Sequence, residues 1–135
     1  MNLLIPEDEM EEEWTIISCY TRKQALEDGV LVDITTTAFN RGFCLPSAIT
    51  QTLISRFIEP NETLKKMGQN FDDRLNDLLV LTYASALKNR NSRRIYFNGM
   101  FLNESGGYDR PKIVADISPG DDGKPVLTIM LPEDD

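Results

Sequence analysis

Apolar positions along this chain change period once, near residue 93, from helical spacing to strand alternation. Before that point Ile49, Leu53, Ile54, Phe57 and Ile58 recur on one face at 3.6-residue spacing, and so do Leu75, Leu78, Leu79, Thr82, Ala86 and Leu87. The first set predicts a helix with Pro46 in its first turn and Pro60 as its stop. The second predicts a longer helix from about Asp72 to Asn89 with Asn70 as its cap. Val80, Leu81 and Ala84 carry apolar surface nearly around that helix, which is expected at the centre of the core. Two short helices precede them. Thr21 and Gln24 fit a capping box that opens residues 22–28, with Gly29 as the left-handed closing residue. Thr35 to Asn40 forms the other, ended by Gly42. Between them Val30 to Val32 is extended and stops at Asp33, and the stretch with Lys65, Lys66 and Gly68 reads as a polar connection.

Strand signals dominate after Arg93. Asn98-Gly99 between Ile95–Phe97 and Met100–Leu102 predicts a tight hairpin, with a bulge inside one long strand as the alternative. Asn103 to Pro111 reads as a loop. Lys112 to Ile117 alternates, with Ile113, Ala115 and Ile117 inward, and Val126 to Leu131 is apolar on both faces, as a central strand would be. The turn Pro119 to Pro125 joins these two as a hairpin. One further strand is expected early, over the aromatic and β-branched run from Trp14 to Tyr20. Helices first and strands second predict an α+β fold: helices packed on a small, mainly antiparallel C-terminal sheet in a single domain, residues 14–132.

Charge changes this picture at the ends only. The formal net charge of the 135-residue chain is −8. Six acids lie within residues 1–13, read as a flexible acidic tail, and Glu133, Asp134 and Asp135 form an acidic C-terminal end. Without those nine, 13 acidic residues face 14 basic ones, so the domain itself is neutral. A polyanionic nucleic-acid mimic would need carboxylates spread over a folded face. No stretch reaches the roughly 18 consecutive apolar residues of a membrane span, and Met1 to Pro6 is too short for a signal-peptide core, so a cytoplasmic protein without membrane contact is expected. In that compartment Cys19 and Cys44 read as small buried residues rather than a disulfide or a metal site.

Chemistry is narrowed most by the absence of histidine. Ser-His-Asp and Cys-His catalysis and histidine-ligated metals are excluded, no phosphate-binding glycine loop is present, and no cofactor is expected. Ser85 and Lys88 match a Ser-x-x-Lys spacing without its companion motifs. Asp72, Asp73 and Asp77 suit the positive end of a helix dipole. Asp121-Asp122-Gly123 lacks the remaining ligands of a calcium loop and suits a tight turn. The basic run Lys88, Arg90, Arg93 and Arg94 beside Tyr96, Phe97 and Phe101 suits single-stranded nucleic acid, or else a solvated helix end with its aromatics turned inward.

Three segments carry a family resemblance. Tyr20-Thr-Arg-Lys-Gln-Ala-Leu-Glu-Asp-Gly-Val-Leu-Val-Asp33, Asp73-Arg-Leu-Asn-Asp77 and Pro119-Gly-Asp-Asp-Gly-Lys-Pro-Val-Leu-Thr-Ile-Met-Leu-Pro-Glu-Asp134 resemble the domain-of-unknown-function family 6573. Asn76 and Ser47 stand where that family tends to carry tryptophan and valine. The resemblance implies a setting on plasmids, phages and integrated elements, and no activity. The expectation is a non-enzymatic, macromolecule-binding accessory protein of a mobile element, with host-defence inhibition as a candidate role and Asp121 and Asp122 as protein-binding residues. Its partner would be a host or element protein, and a second copy could pair along an exposed sheet edge. The alternatives are a nucleic-acid binder using Lys88, Arg90, Arg93 and Arg94, and a hydrolase in which two or more of Asp33, Asp72, Asp73, Asp77, Glu104 and Asp109 converge in a cleft.

Overall fold

The computed structural model describes residues 20–135. The acidic segment 1–13, Cys19 and all of the early strand but Tyr20 lie outside the described residues, and Tyr20 itself is not in a strand. In chain order the elements are α1 (Arg22–Glu27), β1 (Leu31–Asp33), α2 (Thr35–Phe39), β2 (Ser47–Thr50) and α3 (Gln51–Leu53), which runs into a π-helix (Ile54–Ile58). Then follow α4 (Glu62–Lys66), α5 (Phe71–Lys88), β3 (Arg94–Asn98), β4 (Phe101–Leu102), β5 (Tyr108–Asp109), β6 (Lys112–Pro119), β7 (Pro125–Met130) and a closing 3₁₀ turn (Pro132–Asp134). The fold is α+β in one domain. Its main sheet has the order β1-β2-β7-β6-β3, antiparallel throughout except for the parallel pair β2 and β7.

Local chemistry sets the first elements. Thr21 Oγ1 accepts from the Gln24 N–H at 3.0 Å and Gln24 Oε1 accepts from the Thr21 N–H at 2.9 Å, the reciprocal pair of a capping box. Asn70 opens α5 in the same manner, accepting from the Asp73 N–H at 2.8 Å. α4, within the stretch expected to be a polar connection, has Asn61 as its cap and buries only Leu64.

The helix expected from Pro46 starts five residues later, at Gln51. Ser47–Thr50 is a strand instead, and the Thr50 side chain caps the helix that follows. β2 is an interior strand with both edges paired, to β1 and β7, and both of its faces are buried: Ala48 is 1% exposed and Ile49 0%. A helix with one apolar face cannot hide both. Four small and apolar residues are too few for periodicity to separate the two conformations, and pairing with two strands distant in sequence decides between them.

The second correction concerns Asn98-Gly99. β3 does not turn back onto β4; it pairs with β6, from Arg94 opposite Asp116 to Asn98 opposite Lys112. The same register continues through Phe101 opposite Asp109 and Leu102 opposite Tyr108, so the two sheets are halves of one long hairpin. The break falls where Pro111 faces Gly99. Pro111 O accepts from the Gly99 N–H at 2.8 Å, but proline has no N–H to return. A Cβ at Gly99 would lie 2.7 Å from the Phe101 ring, so close approach rather than a turn requires this glycine. The turn sits at the tip, where Asn103 Oδ1 accepts from the Ser105 and Gly107 N–H groups and Gly106 has φ 89°.

α5, α3 and the π-helix pack on one sheet face, Leu53, Ile54, Ile58, Leu75, Leu78 and Leu79 meeting Ile113, Ile129 and Leu127. α5 is not surrounded by core. Val80 is 55% exposed and Leu87 47%, so its apolar surface reaches solvent on the side away from the sheet. The opposite sheet face carries α1, whose Arg22 reaches Thr128 Oγ1 at 2.6 Å and Leu127 O at 2.9 Å.

Candidate functional site

The first-ranked sequence residues are occupied by the fold. Asp121 Oδ1 and Oδ2 accept from the Arg22 and Lys23 N–H groups, each at 2.9 Å, so this turn supplies a carboxylate to the N-terminus of α1. Those bonds hold the Asp121 carboxyl below its ordinary pKa. Asp122 Oδ1 accepts from the Lys124 N–H at 3.0 Å and closes the β6–β7 turn. Of the residues in the first family segment, Arg22 meets the turn through its backbone N–H, while the Asp33 carboxylate accepts from Thr35. The Tyr20 hydroxyl donates to Asp28 at 2.7 Å, and burial lowers the Arg22 pKa while Asp33 and Asp121 counter it.

The acidic C-terminal end is folded too. Glu133 pairs with Arg56, Asp135 with Arg94 at 2.6 Å, and Asp134 accepts from Thr50 Oγ1 at 2.7 Å, Thr52 Oγ1 at 2.6 Å and the Leu131 N–H at 3.1 Å. Burial works to raise the Asp134 pKa, but the Thr52 and Thr50 hydroxyls, the Leu131 N–H and the Arg56 charge overcome it and the net direction is down. The Arg94 ion pair lowers that of Asp135. A carboxylate whose folded pKa is depressed contributes stability that is fully present above its unfolded value, about 3.9, and lost as pH falls through the folded value. Urea midpoints should therefore hold level down to about pH 5 and fall below about pH 4. Asp134→Asn should be less stable at neutral pH and show a shallower acid fall; an unchanged profile would contradict these bonds.

The basic run divides. Arg94 bridges Asp116 at 3.2 Å and Asp135, whereas Lys88, Arg90 and Arg93 are exposed and, among the described residues, pair with no carboxylate. The aromatics do not assemble beside them. Phe101 is 2% exposed and stacks on Phe57 at 5.4 Å, Phe97 packs against the core, and Tyr96 is exposed on the strand. The hydrolase carboxylates do not form one cluster: Asp33 accepts from Thr35, Asp73 from Asn70 and Asp109 from Asn103, Glu104 is exposed at the hairpin tip, and Asp77 and Asp109 each act on Arg74. Among the described residues no three of His, Cys, Asp and Glu gather as metal ligands, and Cys44, expected to be buried, is exposed.

A concavity beside α5 was not singled out from the sequence. A groove of about 400 Å³ runs between α5 and the β4–β5 hairpin, lined by Gln69, Arg74, Asp77, Leu81 and Leu102 and rimmed by Val80, Met100 and Tyr108. Its floor is Arg74, 4% exposed. The guanidinium donates to Phe57 O from Nε at 2.9 Å and from Nη2 at 2.6 Å, and from Nη1 to Gln69 Oε1 and Leu102 O, each at 3.0 Å. Its Cζ lies 5.6 Å from the centre of the Phe101 ring. Phe57 is in the final turn of the π-helix, where carbonyls lack partners along the helix. Arg74 thus ties together the π-helix, the α4–α5 connection and the hairpin. Burial lowers its pKa, and the charges of Asp109 and Asp77 act against that.

The rim is apolar and open: Val80 and Tyr108 are each 55% exposed and Met100 42%. One signal could have found this site. At about 100° per residue Arg74 falls on the buried arc of α5 beside Leu75 and Leu78, while Val80 falls opposite it. A cation inside the apolar arc and a large apolar residue outside it are both departures from an amphipathic pattern.

Together these features define a small α+β domain with a groove beside its longest helix. The chain matches the Family of unknown function (DUF6573) over residues 8–135 and belongs to that family. No curated protein and no solved structure matches it. Among the described residues no helix is long and apolar enough to cross a membrane.

Proposed function

We propose that this chain is a non-enzymatic protein-binding module, cytoplasmic and carried as an accessory protein of a mobile genetic element. Its groove beside α5 would seat an apolar segment of a host or element protein, and inhibition of a host defence is a role such a contact would serve. The observation that carries the proposal is the open apolar rim of Val80, Met100 and Tyr108 above a floor whose hydrogen bonds are already made. An exposed apolar concavity on a rigid base is a recognition feature, because burying it releases water without having to order the floor. Asp77 at the edge favours a partner segment that brings a cation.

Single-stranded nucleic acid has less support, since Phe97 and Phe101 are turned into the core, and the Phe43–Tyr83 pair near Arg90 and Arg93 meets edge to face rather than as a stacking platform. In capture from lysate of a host of the element, the wild-type chain should retain one protein in stoichiometric amount. Met100→Glu with Tyr108→Ala should reduce that retention at least about tenfold without changing the urea midpoint. Equal retention by the variant would move the contact elsewhere, and no retained protein would remove the proposal.

A further inference from the structure

The outward side of α5 is complementary in charge to itself. Leu75, Leu78, Leu79 and Thr82 face the core, so at about 100° per residue Asp73, Val80, Ala84 and Leu87 point directly away from it. Val80 and Leu87 are 55% and 47% exposed, and Tyr83 beside them 39%. The apolar stretch of this stripe is bracketed by opposite charges. Asp72, Asp73 and Asp77 lie in the first half of α5; Lys88 ends it, and Arg90 and Arg93 follow. Among the described residues none of these six forms an ion pair.

We propose that a second copy of this chain covers the stripe, its α5 antiparallel to the first about a two-fold axis passing between Val80 and Ala84. The helix is about 27 Å long at 1.5 Å per residue, long enough for its acidic and basic ends to lie on opposite sides of that axis. Antiparallel pairing sets the acids of each copy against the cations of the other, twice by symmetry, and brings Val80 of one copy against Ala84 and Leu87 of the other. Parallel pairing would set acid against acid. A two-fold contact of this kind is closed and stops at the dimer. The pairing goes beyond the groove proposal. It shares Val80 and Asp77 with the edge of the groove, so a second copy and a partner segment would compete there, while Leu87 lies outside the groove and reports on the pairing alone.

Sedimentation velocity at low salt and submillimolar concentration should give the mass of a dimer. Leu87→Glu should raise the dissociation constant at least about tenfold while leaving the circular dichroism and urea midpoint unchanged, as an exposed position allows. Chains carrying Asp73→Lys, or Lys88→Glu with Arg90→Glu, should each self-associate weakly and form a mixed dimer when combined. A monomeric wild-type chain, or a mixture of the two charge variants that remains monomeric, overturns the proposal. A monomer that still retains its partner through Met100 and Tyr108 would leave the groove proposal standing and remove only this one.

Discussion

Arg74→Ala is expected to lower the free energy of unfolding by about 2–4 kcal/mol, from the loss of a charged donor's hydrogen bonds and the cavity left behind. The residue lies on α5 yet bonds three other segments: Phe57 O of the π-helix, the Gln69 side chain and Leu102 O of the hairpin. Alanine would leave two buried carbonyls without donors and open a cavity beneath the Phe101 ring. Arg74→Lys should recover only a small part of the loss, because one ammonium cannot hold three acceptors spread around a planar fork. Urea unfolding of the three chains measures this. A loss under about 1 kcal/mol for alanine would show that the guanidinium is a passenger in the groove floor.

Ala48→Glu should be similarly severe, costing about 3 kcal/mol or more by placing a carboxylate on a buried face of the sheet. The value of this substitution is that it separates two conformations of one segment. On the apolar helix pattern that begins at Ile49, residue 48 falls opposite the stripe, and a charge there would cost within about 0.5 kcal/mol. In β2, Ala48 faces Thr128 on β7 and is 1% exposed. A near-neutral Ala48→Glu would contradict the strand and, with it, the order of the sheet.

Much of the fold was legible because it depends on neighbours in sequence. The Thr21–Gln24 capping box, the Asn70 cap and the β6–β7 hairpin are each set within a few residues. By contrast Val114, between Ile113 and Ala115, is buried as they are, so β6 does not alternate in burial. The failures are non-local. β2 is extended because β1 and β7 reach it, and Asn98-Gly99 crosses between sheets because Pro111 stands opposite. Candidate site residues were less legible for a related reason. Asp121 and Asp122 were conspicuous as charges in a turn, but only the approach of α1 from about a hundred residues earlier shows that the Asp121 carboxylate is engaged. Arg74, Met100 and Tyr108 come from three segments with no shared motif, so nothing in the order of residues marks them as neighbours.

Site-specific photocrosslinking from position 100 tests the central claim, that the groove beside α5 receives a protein segment, most directly. With a benzophenone side chain replacing Met100, in cells that carry the element, one dominant adduct is predicted, weakened when Tyr108 is also changed to alanine. A matched probe at Gln51, exposed and away from the groove, should not produce it. The same adducts from both positions, or none from position 100, would contradict the account.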